Sequence, residues 1–289
     1  MKAYLLLIST AAFWGMNVIL GQFAVNEISP MALVMFRWLA VLILLGVFFK
    51  KNIISDFANL RTKLVYILAM GGLGYTGFNS LFYLAAHSTS AINIGILQGA
   101  IPVFIILGGY LVFQNKVTML QIFGIIITCI GVLIVGSQGS LQNLTNLVFK
   151  FGDLIMILAC TLYAGYALGL KLRPQSSAIS LFAGMAAAAF LASLPLLLLE
   201  ISLGHFQWPT YKGFIVVGLV ALFPSFLAQI FFMRGVELIG APRAGVFANL
   251  VPIFGAIFAV IFLHEEFANF HALALGLVLS GIWISERSK

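Results

Sequence analysis

Ten runs of about 20 mostly apolar residues follow one another along this chain, and a helix of that length crosses the ~30 Å hydrocarbon core of a bilayer. The runs fall at about 3–25, 31–49, 64–86, 90–113, 119–136, 152–171, 177–200, 213–235, 241–263 and 267–285. Lipid offers no water to backbone N–H and C=O groups, so only helices or a closed barrel can span it. Barrel strands alternate apolar and polar over ~10 residues; these runs are continuous. The chain is expected to be an all-α membrane protein with ten transmembrane helices. Composition agrees: 62% of residues are hydrophobic and 8% charged, against roughly 25% charged in a soluble domain. The first run starts at Met1-Lys2 and continues to Val25, longer than a signal-peptide core, and reads as an uncleaved helix.

The net charge of +7 has a topological explanation. With ten helices and a cytoplasmic N-terminus, only Lys150 and Lys212 fall outside. Arg37 sits within the second helix, and the other twelve of the 15 Lys and Arg lie inside. That asymmetry follows the positive-inside rule, and a nucleic-acid partner is not needed. The expected setting is the inner (plasma) membrane, with multiple passes, both termini cytoplasmic, and the lipid bilayer as constant partner. The cysteines, Cys129 and Cys160, lie singly in apolar runs and read as small buried hydrophobes.

The chain also repeats itself. At an offset of 150, Ala91 falls on Ala241, Gly95 on Gly245, Pro102 on Pro252, Phe104 on Phe254, Gly131 on Gly281 and Ile134 on Ile284. Six identities in these 46 positions are near the chance level for so biased a composition; the weight lies on a matched mid-helix proline and two glycines. Upstream, Asn79 falls on Gln229. Five runs separate the copies, and an odd number inverts the second. The expected units are residues 1–138 and 149–289, two inverted five-helix repeats, an arrangement used by transporters.

These residues resemble the EamA-type ten-helix branch of the drug/metabolite transporter superfamily. The resemblance lies in Phe13-Trp14-Gly15, in Ser29-Pro30 followed by Arg37, and in APRAGVFANLVPIFGAIFAVIFLHEEF followed by Gly276 and Gly281. Glu265 occupies the family's acidic position after the ninth helix; the first half departs, with Asn115 and Lys116 there. The resemblance implies a central cavity lined by helices 1, 3, 4, 6, 8 and 9, alternating access, and often export of amino acids or related metabolites.

Polar groups within spans are costly and mark candidate sites. Trp14 and Asn17 share a face of helix 1; Tyr75, Asn79 and Tyr83 form a stripe on helix 3. Gln98 lies on helix 4, Tyr163 and Tyr166 on helix 6, Gln229 and Met233 on helix 8, Phe247 and Asn249 on helix 9. Amides offer donors and acceptors to a neutral or zwitterionic solute, and also bridge helices at about 0.6–2 kcal/mol each. Arg37 offers a partner to a substrate carboxylate, but the favoured reading is snorkelling to the outer interface or neutralisation by Glu27. Pro102 and Pro252 are candidate hinges. His87 and Glu237 are candidates for proton coupling or a gate. Gly95/Gly99 and Gly165/Gly169 form GxxxG pairs expected to seat neighbouring helices. His264, Glu265 and Glu266 lack a third spaced ligand, so no metal is expected. No Walker A, GxSxG or HExxH motif occurs, and no cofactor or catalytic residue is expected. The leading expectation is transport of a small-molecule solute, facilitative or ion-coupled. The alternatives are a membrane-embedded enzyme and a receptor-like protein without transport. Cargo, coupling ion and oligomeric state stay open.

Overall fold

A computed structural model describes residues 1–140, 142–143 and 150–287, with the side chains of 57–58 and 241–242 set aside. The expected start of the second unit at residue 149 and the terminal Lys289 lie outside the described residues. So do residues 141 and 144–149 of the polar stretch 137–151.

No strand occurs among the described residues. The chain runs through α1 (Lys2–Ala24), α2 (Pro30–Arg61), α3 (64–86), α4 (Ala91–Phe113), α5 (Met119–Gly136), α6 (Phe151–Leu172), α7 (Ala178–Ser202), α8 (Tyr211–Ile239), α9 (241–263) and α10 (Asn269–Glu286). Eight of these contain stretches long and apolar enough to cross a membrane; 64–86 and α10 are the two that do not meet that criterion. Several starts are set by side-chain caps. Ser90, Thr118, Ser177 and Thr210 each accept from the backbone N–H three residues on, satisfying a donor the helix leaves free.

The helices are not uniform. α2 runs well past the expected end at 49, through a kink at Phe49 (φ −128°, ψ 18°). The basic stretch 50–63 is therefore largely the last turns of a helix. α3 and α8 each contain a π-helical segment, Met70–Gly77 and Ala221–Leu227. Such wider turns shift the face a helix presents and occur often at functional sites. α4 breaks at Gly99–Ala100 and restarts at Ile101. Pro102 sits in the first turn of that restart, as Pro252 does in the segment Val251–Leu263. Proline is well tolerated there, since a first-turn N–H has no helical partner. Both prolines thus start helical segments, which differs from a kink in mid-helix.

The ranges Ile101–Phe113 and Val251–Leu263 lie 150 residues apart at both ends, and so do Met119–Gly136 and Asn269–Glu286. Gln114 and His264 end their helices in the same left-handed conformation (φ 52° and 55°). α5 and α10 lie closely side by side. A Cβ at Gly124 would meet Ser285 and the Gly281 carbonyl, and one at Gly281 would meet Thr128 and the Gly124 carbonyl. Backbones this near are possible only through glycine. Of the two GxxxG pairs, Gly95 packs on Gly255 of α9; in the second, Gly169 packs on Met70 of α3, whereas a Cβ at Gly165 would meet nothing within 4 Å.

α1 begins beside the end of α8 and the start of α9, through Leu7 on Gly235 and Tyr4 on Phe247. α10 ends beside the start of α5. The two described ends of the chain, residues 2 and 286, thus lie at one end of the bundle. The residues joining α1 to α2, α3 to α4 and α9 to α10 lie at the other.

Candidate functional site

A cavity of about 500 Å³ lies at the centre of the bundle. Its lining starts near mid-length with Asn17, Arg37, Asn79 and Gln98. It continues toward the end that carries both termini, with Leu170, Gly245, Asn249, Ser285 and Glu286. Among the described residues, none from the opposite end lines it.

Arg37 organises the deep end. It is 5% exposed and lies in mid-bundle, where a charge must be held by polar partners. Its Nε donates to Ser225 Oγ (2.7 Å), and its Nη1 donates to Asn79 Oδ1 (2.5 Å) and Tyr83 Oη (2.8 Å). Tyr83 passes its proton on to Asn17 Oδ1 (3.0 Å). Asn79 Nδ2 returns to the Tyr75 carbonyl (2.6 Å), and Ser225 Oγ donates to the Val220 carbonyl (2.6 Å). Asn79 is the second α-helical residue after the π segment of α3, and Ser225 lies within the π segment of α8. The π turns therefore present both groups to α2. Neither expectation for Arg37 holds. It turns inward rather than snorkelling, and Glu27 is occupied elsewhere, with Thr210 and, at 4.0 Å, Lys212. Depth alone misjudged the direction in which Arg37 turns.

Aromatic rings build the walls. Trp38 stacks on Tyr75 (4.7 Å, 4°), and Tyr75 Oη lies 3.2 Å from Tyr166 Oη. Tyr163 packs on Phe78, and Trp14 on Phe232. Gln229 and Asn249 line the cavity without a hydrogen bond to any described residue.

Trp14, Asn17, Tyr75, Asn79, Gln98, Tyr163, Tyr166, Gln229 and Asn249 thus border one cavity, with Pro102 and Pro252. Three expected contact residues do not. Tyr83 is buried behind Arg37, Met233 packs on the core, and the Phe247 ring lies on Tyr4. α2, α7 and α10 add Arg37, Trp38, Phe182 and Ile282, which the expected helix set omitted. His87 and Glu237 sit at opposite ends of the bundle and away from the cavity. His87 caps α3 and is exposed; Glu237 pairs with Arg234 at 2.6 Å.

The opposite end is closed by carboxylates that bind across helices. Glu265 accepts from the backbone N–H of Ala91 (2.8 Å) and Ile92 (2.9 Å), the first turn of α4. Glu200 accepts from Ser29 Oγ (2.6 Å) and Met31 N (3.1 Å) at the start of α2. Asp153 accepts from Thr89 Oγ1 (2.5 Å) and Asn93 Nδ2. Two of these place a negative charge on a helix N-terminus, where the backbone dipole favours it.

A cavity open toward one end of an apolar helical bundle and sealed at the other is the geometry of a membrane carrier. The model of the EamA-like transporter family matches residues 1–137 and again residues 150–286. This chain belongs to the EamA-like transporter family. Among its relatives is the uncharacterized transporter YyaM of Bacillus subtilis, 26% identical over 264 residues, covering 88% of this chain and 83% of the relative. An uncharacterized transporter of Archaeoglobus fulgidus is 26% identical over 289 residues, covering 98% and 97%. One crystal structure aligns over 99% of this chain and 97% of its own, with a TM-score of 0.63 at 15% identity, a likeness of fold. As a member of the EamA-like family the chain is a multi-pass membrane transporter.

Proposed function

We propose that this transporter moves a small organic solute, of the size of an amino acid or a related metabolite, by alternating access between two inverted halves, 1–138 and 149–289. The observation that carries the reading is the cavity between the halves, which reaches one end only, while Glu265, Glu200 and Asp153 hydrogen-bond across helices at the other. The 150-residue offset between paired helix boundaries supports two equivalent halves that exchange roles as gates. The positive-inside asymmetry supports ten spans with both termini in the cytoplasm of an inner (plasma) membrane. The described conformation is then inward-facing, which suits a carrier that loads from the cytoplasm and exports. Coupling is facilitative or ion-driven, as no nucleotide-binding motif is present in the sequence.

The test is counterflow with purified protein in liposomes, screened across amino acids, organic acids, nucleosides and cationic drugs. Saturable exchange of at least one class is expected. Exchange that never exceeds protein-free liposomes for any class refutes the reading and leaves the receptor-like alternative.

A further inference from the structure

The deep end of the cavity holds hydrogen-bond donors that the protein itself does not use. Arg37 spends Nε and Nη1 on neutral oxygens, and its Nη2 has no acceptor among the described residues. Two other lining residues carry buried donors without an acceptor, Trp38 Nε1 and Gln98 Nε2. Buried donors are almost always paired, so each exception asks for a partner. Trp38 Nε1 and Gln98 Nε2 lie behind the cavity wall, with almost no accessible surface, so the guanidinium of Arg37 is the donor among the three that a ligand in the cavity reaches.

Charge sharpens the chemistry. Of the chain's eight acidic residues, only Glu286 borders the cavity, at the far end of α10 from Arg37's depth. The partners of the guanidinium are an amide, a phenol, a hydroxyl and the Trp38 ring at 5.2 Å, and none of them carries a negative charge. A buried charge without a counter-ion is costly, and an anion arriving in the cavity relieves that cost. The planar fork of arginine matches a carboxylate in particular. A phosphate monoester would call for a second cation, and the lining holds no other Lys or Arg. An ammonium group would call for an anion near Arg37, and the lining there holds none. The rest of the lining is mostly apolar and aromatic, from Trp14, Phe78, Phe182 and Phe232, with the amides of Gln229 and Asn249 set among them.

We propose that the cavity binds a small organic monocarboxylate with an apolar body, that Arg37 receives the carboxylate, and that recognition needs no ammonium group. This rests on the reading of the cavity as the transport site. It replaces the expectation of a neutral or zwitterionic solute, which set Arg37 only partway in, and takes up the carboxylate pairing that Arg37 offered.

The test uses the intact protein in nanodiscs and the arginine reagent phenylglyoxal, with modification followed at each arginine by mass spectrometry. The probes share one body: 3-phenylpropionate, phenylalanine, 3-phenylpropanamide and phenethylamine. Arg37 is expected to react when no probe is present, through the cavity. 3-Phenylpropionate should slow it about tenfold at roughly ten times its Kd, leaving exposed Arg234 unaffected. Phenylalanine should protect no better, and the amide and amine not at all. The proposal is overturned if Arg37 stays inert while Arg234 reacts, if 3-phenylpropionate gives no protection, if the amide or amine protects equally, or if phenylalanine alone protects. The same probes in proteoliposomes separate this proposal from the transport reading. Protection of Arg37 with no flux of any solute sinks transport and leaves the site. Saturable flux of the amine or amide with Arg37 unprotected does the reverse.

Discussion

Glu265→Gln should loosen the closed end of the bundle. The carboxylate takes two backbone N–H groups at the start of α4, Ala91 at 2.8 Å and Ile92 at 2.9 Å, one on each oxygen. Glutamine keeps one acceptor and turns an amino group toward the other N–H. One hydrogen bond to a charged group is lost, about 1.5–3 kcal/mol, together with the charge–dipole attraction, about 0.3–1 kcal/mol. At 1.4 kcal/mol per tenfold, a total of about 2–4 kcal/mol changes the closed-to-open ratio roughly 30- to 700-fold. Nothing equivalent restrains the other end: at the 150-residue offset Asn115 replaces Glu265, and Ala241 and Pro242 replace Ala91 and Ile92. Asparagine carries no charge and proline has no N–H to give. The assay is hydrogen exchange by mass spectrometry on peptides covering residues 88–96, with residues 180–190 of α7 as control. Exchange near Ala91 and Ile92 should accelerate by more than about tenfold while the control stays constant. Acceleration below about threefold in 88–96, or an equal change in α7, would refute the idea that this carboxylate holds the end shut.

Other substitutions probe other parts of the account. Tyr83→Phe removes the hydroxyl between Arg37 and Asn17 and should cost about 1–3 kcal/mol, read as a lower thermal midpoint in detergent with the fold retained. Gly281→Leu drives a side chain into Thr128 and the Gly124 carbonyl. It should cost more than the ~1–3 kcal/mol typical of overpacking, seen as loss of monodisperse protein, whereas Gly165→Leu should be tolerated. His87→Gln should leave transport intact, because His87 does not border the cavity. Desolvation on its packed side pulls the pKa of the otherwise exposed His87 below its ordinary 6.5, against the opposing pull of Glu200. Its neutral form is thus favoured in the folded state, and stability should fall as pH drops through about 6.5. The Gln variant should flatten that slope in thermal scans from pH 8 to 5.

The apolar runs announced the helices because lipid leaves a backbone no alternative. The 150-residue offset was equally visible, and it now has counterparts in helix boundaries and in the left-handed caps at Gln114 and His264. Polar residues within spans were a sound guide to the lining, since few other reasons justify their cost. The direction of Arg37 was hidden. α2 is apolar on all sides, so no moment marks its inner face, and depth alone cannot separate snorkelling from inward pairing. The Arg37–Ser225 and Glu265–Ala91 contacts join residues 188 and 174 positions apart, and nothing local foretells them. Two signals could have helped: the lack of any acid near Arg37 in the sequence, and Ser225 four residues before Gln229. The continuation of α2 past Phe49 was obscured by its basic residues, which sit on a helix as readily as on a loop.

The central claim is that one cavity serves both faces of the membrane. It is tested by a cysteine at Gln229 in a background with Cys129 and Cys160 replaced, reconstituted in sealed liposomes and labelled with a membrane-impermeant maleimide from either side. The account predicts that Gln229→Cys reacts from the face bearing the termini at rest, and gains reactivity from the opposite face when Glu265→Gln is added. Reactivity from a single face in both proteins would mean a dead-end pocket and would contradict transport through it.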